Sequence, residues 1–436
     1  MKQLKYDIII IGSGLGGLTS AALLSKAGYK TLVVEKLPFA GGRCATLDYK
    51  GYKISTGLEM ATEEVHGELC REVGAEFEIR VPQPIYKYRI KGKDYAAPVA
   101  SKILTTMIEQ AARDNAEKER VMQALKRGLT WAEPSYSMSL YDWITQYTDN
   151  PDMVGVFRFF VVMAAGINLY EMPAGEYFRM IKETGFIRTW GFLPEGGGSL
   201  SGALVRAIER MGGNIWMSCP ALQIAVKDGV ATGVVIRKDS EEIEVTAQAV
   251  VSNAGPRRTV GLVGRERLSP GYLKDVEAIK GVPQLLIYIT SDRPLLEGSS
   301  ILALTESRRL FGVFNYTNIC PDVAPKGKHL LVGAIFPTSS EPPYDFNKEV
   351  ELSLQDLRDN IPDFDKYAQI LRVNTYHGDW ALMRTWAGYS LPIKTPIQGL
   401  YLAGDASAPL GWWGSPAAIK SGRLAVEDIA QRYKPA

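Results

Sequence analysis

Hydrophobic and polar positions alternate in different ways along three stretches of the chain. Residues 6–36, "YDIIIIGSGLGGLTSAALLSKAGYKTLVVEK", open with four consecutive isoleucines, Ile8–Ile11. An unbroken β-branched run predicts a strand buried on both faces. Leu15, Leu18, Ala22, Leu23 and Ala27 then recur at helical intervals, Gly28 ends that helix, and "KTLVVE" reads as a second strand. Residues 96–191 read as largely helical: "SKILTTMIEQAARDNAEKERVMQALKRG" carries apolar positions three and four apart, with its charges on a solvated face. The stretch 151–181, "PDMVGVFRFFVVMAAGINLYEMPAGEYFRMI", is denser in apolar and aromatic residues. It reads first as a buried helix pair, with the wall of an apolar substrate tunnel or a membrane contact as the alternative. Between 261 and 384, "PQLLIYIT", "SILALT", "LFGVFNYT" and "HLLVGAIFP" read as strands. No apolar run reaches the ~18 residues of a spanning helix.

The glycines sharpen the first stretch. Gly12, Gly14 and Gly17 stand in GxGxxG spacing between strand and helix, and Glu35 closes the second strand 23 residues after Gly12. In that setting Gly12 allows the tight turn, Gly14 lets a pyrophosphate approach the backbone, and Gly17 lets helix and strand pack closely. The helix N-terminus offers unpaired N–H groups to phosphate, and Glu35 can accept hydrogen bonds from ribose hydroxyls. Gly41, Gly42 and Arg43 follow at once; Arg43 is suited to a pyrophosphate, and a simple NAD dehydrogenase has no need of this element. One dinucleotide fingerprint is present: "GLVG" at 261–264 lacks both the preceding strand and the third glycine.

Composition narrows the rest. At 436 residues the chain is long enough for two or three domains, and 46% hydrophobic with 22% charged residues is globular. A net charge of +2, from 50 basic and 48 acidic residues, gives no reason to expect a nucleic-acid partner. Cys44, Cys70, Cys219 and Cys320 are far apart, as are His66, His329 and His377, so neither a disulfide scaffold nor a protein-ligated metal is expected. The apolar start is too short for a secretory signal and follows Asp7. A cytoplasmic protein is expected, with peripheral membrane contact left open.

From "GGR" onward the chain resembles the FAD-dependent superfamily of phytoene desaturases, carotenoid isomerases and amine oxidases. "FLPEGGGSLSGALVRAIERMGGNIWMSCPALQIAVKDGVATGVVI" (192–236), "AVVSNAGP" (249–256) and "GLYLAGDASAPLGWWGSPAAIKSGRLAVEDI" (399–429) are similar to the family's central and C-terminal flavin segments, in the family's order. "WGSP" is closer to the desaturase branch. The resemblance implies an α/β fold: a Rossmann-like FAD-binding domain of the GR2 type, a discontinuous α+β substrate domain and a helical insert. The FAD domain is expected at 1–95, 192–260 and 385–436, the helical insert at 96–191, and the substrate sheet at 261–384.

Carried over by position, Gly12, Ser13, Gly14, Gly16, Gly17, Glu35, Lys36, Gly42 and Arg43 should hold the ADP half of FAD. Ala221 or Leu222 should contact the adenine through the backbone. Gly404 and Asp405 belong to the C-terminal motif, Asp405 at the ribityl–phosphate region. Pro416, Ala417 and Ala418 should begin a helix facing the pyrimidine end of the flavin. The last cysteine, Cys320, precedes that motif, so the flavin is expected to be non-covalent. Glu59 is the first candidate acid beside the flavin; where family members often carry an Asp, this chain has Ser55. Trp412 and Trp413 should wall the substrate cavity, at least one of them as core packing, and Tyr389, with Arg384 and Trp386, is a weaker candidate. Three functions stay open: a desaturase or isomerase of a hydrophobic, isoprenoid-class substrate, an amine or amino-acid oxidase, and a non-enzymatic FAD-binding protein. No motif assigns the electron acceptor, with oxygen, a quinone and another protein all open.

Overall fold

The strand Ile8–Ile11 is the centre of a parallel sheet, as its unbroken β-branched run requires. In a computed structural model describing residues 4–84, 86–97, 102–130, 136–185, 187–298, 300–384 and 389–436, that sheet runs Asn214–Trp216, Thr31–Val34, Ile8–Ile11, Ala249–Ser252, Leu400–Leu402. Side chains two apart share a face. Ile8, Ile10, Val33 and Val251 pack against the helices Leu15–Lys26, Gly197–Arg210 and Gly414–Arg432. Ile9, Ile11, Leu32, Val34 and Val250 pack on the other side, against Ile224, Val234 and Ile236. Those residues belong to a four-stranded sheet, Leu4–Lys5, Glu241–Thr246, Val230–Lys238, Ala221–Lys227, so the layers run helix, sheet, sheet.

The second body is a sheet in the order Gln369–Tyr376, Gln284–Ser291, His329–Ile335, Leu310–Asn315, Ile301–Leu304, Tyr86–Ile90, Lys93–Ala97. It is antiparallel except where Leu302–Leu304 pairs with Lys87–Arg89. Alternation sorts its faces as well. Leu285, Ile287, Ile289, Leu331 and Ile335 lie under helix Phe346–Asn360, which contributes Leu357. Leu286, Tyr288, Phe314 and Val332 join an aromatic-rich cluster with Trp143, Phe157, Phe159, Tyr177 and Phe178 of the helical insert. The helices Pro151–Ala165 and Ala174–Thr184 are thus mostly core, as the apolar run between 151 and 181 implied.

Two boundaries differ from the sequence division. The hairpin Tyr86–Ile90/Lys93–Ala97 is an edge of the seven-stranded sheet, although residues up to 95 were assigned to the FAD segments. Its pattern of buried and half-buried positions suits the edge of either sheet, so the sequence did not choose between them. Leu268, Val276 and Ile279 pack on the nucleotide-side core, so the chain does not leave that body at 260. Among the described residues no helix is long and apolar enough to cross a membrane.

Candidate functional site

The glycine-rich turn is shaped as its spacing demands. Gly12 has φ +93°, and a Cβ on Gly17 would stand 2.1 Å from the Gly12 carbonyl oxygen. At Gly14 the space a side chain would fill is taken by Asn253, whose Oδ1 would be 2.4 Å from a Cβ there. Asn253 donates its backbone N–H to Ile11 O (2.8 Å) and its Nδ2–H to Ala403 O (2.7 Å). It fastens the turn to the C-terminal motif. Sequence reasoning quoted the segment around Asn253 without singling it out; its signal was an Asn directly after a β-branched strand.

Glu35 is buried at the end of the second strand. One carboxylate oxygen accepts from Ser13 N–H (2.8 Å) and Ser13 Oγ–H (2.7 Å), the other from Leu37 N–H (2.9 Å). Cys219 N–H donates to Glu35 O (2.7 Å) and Ser218 N–H to Leu37 O (2.9 Å), which brings Ala221 and Leu222 alongside. Lys36 is exposed. The second turn is knitted to the first, with Gly41 N–H on Ser13 O (3.0 Å) and Gly42 next in line. Arg43 reaches across to Asp405 through a fork of 3.0 and 2.8 Å and to Ala381 O at 3.1 Å. Gly404 N–H is held by Ser421 Oγ at 2.7 Å. The helices Leu15–Lys26 and Gly414–Arg432 both begin without a side-chain cap, and neither has an acid in its first turn. Two side-chain-free turns, uncapped N–H groups and a buried carboxylate make a donor and acceptor set that fits the ADP portion of FAD.

The other end is built on hydroxyl groups. Glu59 follows the turn after strand Tyr52–Ser55. Its carboxyl meets Tyr288 OH (3.3 Å) and Tyr316 OH, and Tyr316 OH also donates to Glu59 O (3.0 Å). Tyr288 and Tyr376 both donate to Ser55 O, at 2.8 and 3.1 Å. Removal from water pushes the Glu59 carboxyl up to about 8, against the pull of the Tyr288 hydrogen bond. Tyr376 is pushed up to about 12 and Tyr288 well above its ordinary value, chiefly by burial. Burial thus shifts Glu59, Tyr288 and Tyr376 toward their protonated, uncharged forms.

Trp412 and Trp413 separate. Trp412 packs on the nucleotide-side core, with Lys420 Nζ 5.6 Å from its ring centroid, and Trp413 on the aromatic cluster of the second body. Both line a pocket with Ala165, Ile167, Met172, Pro173, Ser390 and Asp405. Its wall also includes Glu176, buried, which accepts Gly411 N–H at 2.9 Å. Sequence reasoning missed Glu176, which sits in the first turn of an amphipathic helix where an acid is ordinary. Pro416, Ala417 and Ala418 lie in the C-terminal helix, which starts earlier than expected, at Gly414, with Trp413 as N-cap. Tyr389 packs, as Tyr272 does, on the core that holds Leu391 and Ile397. Trp386 and the side chain of Arg384 lie outside the described residues.

The family model for flavin-containing amine oxidoreductases matches residues 15–430. The chain belongs to this family. Its cofactor is FAD, and the protein is a flavin-containing oxidoreductase by family. An oxidoreductase from Methanosarcina mazei has the same fold, with a TM-score of 0.85 and 26% identity over 97% of this chain and 100% of that one. The 15-cis-phytoene desaturase of Capsicum annuum is 22% identical over 98% of this chain and 78% of its own. Human all-trans-retinol 13,14-reductase is 25% identical over 63% of this chain and 52% of its own. A putrescine oxidase shares the fold at a TM-score of 0.75 and 16% identity, over 99% of this chain and 100% of its own.

Proposed function

We propose that this FAD-dependent oxidoreductase moves hydride between a hydrophobic, isoprenoid-class substrate and flavin N5. The observation that carries the reading is the apolar and aromatic share of the pocket wall. Trp413 joins the aromatic cluster, Ala165, Ile167, Met172 and Pro173 line the pocket with the tryptophans, and burial shifts Glu59 toward its uncharged form. Asp405, the other acid near the tryptophans besides Glu176, is committed to Arg43. When bound, FAD supplies the hydride acceptor or donor. The protein's own part is to orient a C–H bond at about 3–3.5 Å and to keep water out, which apolar walls do without an acid or base. Relatives named for phytoene and retinol support the same substrate class.

A second reading, amine oxidation, is favoured by Glu176, a carboxyl in the pocket wall that could face an ammonium. Anaerobic stopped-flow mixing of the FAD-loaded protein separates the readings. Polyenes or retinoids in detergent are expected to change the flavin absorbance within the mixing experiment, and putrescine and other amines are not. Rapid bleaching by amines alone would overturn the proposal. An unchanged spectrum with every polyene, amine and acyl candidate would favour a non-enzymatic FAD protein.

A further inference from the structure

His66 is a buried titratable group that hydride transfer does not use. It has no exposure to solvent and lies in the π-helical turn Glu63–Gly67, just before helix Glu68–Val73. Turns of this width are rare, and here the ring folds back onto Thr62 at the start of the turn. The Thr62 backbone N lies 3.0 Å from His66 Nδ1. A peptide N–H only donates, so Nδ1 is the acceptor and the ring proton sits on Nε2. Thr62 Oγ1, also 3.0 Å from Nδ1, is compatible with the same state. On the far side, His66 Nε2 is 3.0 Å from Ser415 Oγ. The direction of this bond follows: His66 donates and Ser415 accepts.

Ser415 has one proton of its own, and it cannot point at a ring nitrogen that already carries one. The Ser415 hydroxyl is therefore a donor to something other than His66. Ser415 is the second residue of helix Gly414–Arg432, half-buried, in the uncapped first turn. Burial keeps the ring neutral, with its pKa lowered to about 4, so the polarity of the chain from Thr62 to Ser415 does not reverse across the neutral range. A neutral histidine adds no charge here; it only fixes which way a hydroxyl proton points.

We propose that His66 is a positioning residue that locks the Ser415 hydroxyl as a hydrogen-bond donor to the pyrimidine end of FAD. This rests on assigning that end of FAD to the N-terminus of helix Gly414–Arg432, and not on the choice of substrate. Negative charge in reduced FAD gathers near N1 and O2, so a hydroxyl donor there favours the reduced form over the oxidised one. A hydrogen bond to a charged group is worth enough to change an equilibrium by about tenfold. For a two-electron couple that fold-change is about 30 mV in midpoint potential.

The test uses the FAD-loaded protein. The chain has three histidines, so an imidazole 15N–1H correlation with His66→Gln for assignment reads the tautomer directly. The expected signal is a neutral Nε2–H ring unchanged from pH 8 to about 5.5; an Nδ1–H ring or a protonated one overturns the proposal. Ser415→Ala is expected to lower the midpoint potential by about 30 mV, a tenfold shift toward oxidised FAD, while Ser415→Thr retains most of it. His66→Leu should lower it too, and His66→Gln, with an amide N–H near the Nε2 position, should restore part. If the His66 variants fail to fold, the wild-type tautomer and Ser415→Ala still decide. A purely structural role would lower the melting temperature and leave the potential alone, which overturns the proposal. Ala418→Glu separates the two ways of failing. If it shifts the potential or expels FAD while Ser415→Ala does nothing, the placement of FAD stands and the role of His66 falls. If neither variant acts on the flavin, the placement falls and takes the proposal with it.

Discussion

Two acids, Glu35 buried and Glu59 half-buried, are held in different ways. Glu35 finds Ser13 22 residues away and Leu37 two residues away, through backbone N–H groups and one hydroxyl. Glu59 finds Tyr288 and Tyr316 229 and 257 residues away, through phenols carried on the second body. The nucleotide end is set by turns whose geometry is local. The Glu59 cluster exists only after two sheets have met. The first kind of site can be conserved in a motif; the second is a property of assembly, and its acid responds to burial and not to spacing.

The sharpest way to break this contrast is at Gly17. A Cβ there would be 2.1 Å from a backbone oxygen, which no side-chain rotation can relieve. Gly17→Val is expected to abolish FAD retention and most soluble folded protein, read from the flavin-to-protein absorbance ratio and thermal unfolding. Retention of FAD by that variant would show that the local turn is not what holds the nucleotide end.

Glu59→Gln probes the other end through pH. The Glu59 carboxyl is raised from about 4.5 to about 8 by burial, so the folded state holds its proton more tightly than the unfolded chain does. Its contribution to stability is complete below about pH 4.5, falls as the pH rises toward 8, and is flat above that. Glu59→Gln should remove this slope and gain about 1–3 kcal/mol relative to the parent by pH 8, measured by denaturant unfolding across pH. An unchanged slope would mean that Glu59 is ionised in the fold.

The smallest effect is expected at Tyr389, whose hydroxyl is buried and has no hydrogen-bond partner among the described residues. Tyr389→Phe removes a desolvated donor and should leave stability within about 1 kcal/mol of the parent, or improve it. Flavin reduction should be unchanged. A large loss of turnover would place Tyr389 in the site.

Legibility followed the same divide. Gly12, Gly17, Glu35 and Arg43 were readable because a strand, a turn and a helix in fixed order leave few positions for them. The apolar run in "PQLLIYIT" was readable as the strand Gln284–Ser291, and its two faces separate Leu285, Ile287 and Ile289 from Leu286 and Tyr288. What could not be read was partnership across distance. Nothing near Glu59 announces three tyrosines, and nothing near Glu176 announces Gly411. Asn253 was hidden because the space it fills belongs to a glycine far away in sequence. An aromatic such as Tyr389 beside a flavin motif looks the same in sequence whether it faces a cavity or a core.

The order of strands in the parallel sheet also sets a timetable. Ile8–Ile11 is flanked by Thr31–Val34 and Ala249–Ser252, and Leu400–Leu402 closes the edge. On the ribosome, Ile8–Ile11 meets Thr31–Val34 early but waits for Ala249–Ser252, synthesised more than 200 residues later, while Tyr86–Ile90 waits for Ile301–Leu304. Such non-local pairings slow folding and leave apolar edges uncovered in the meantime. The Gly14 turn is made early, but the Asp405 that grips Arg43 is synthesised 362 residues after it, so the clasp between the second glycine turn and the C-terminal motif is among the late contacts of folding.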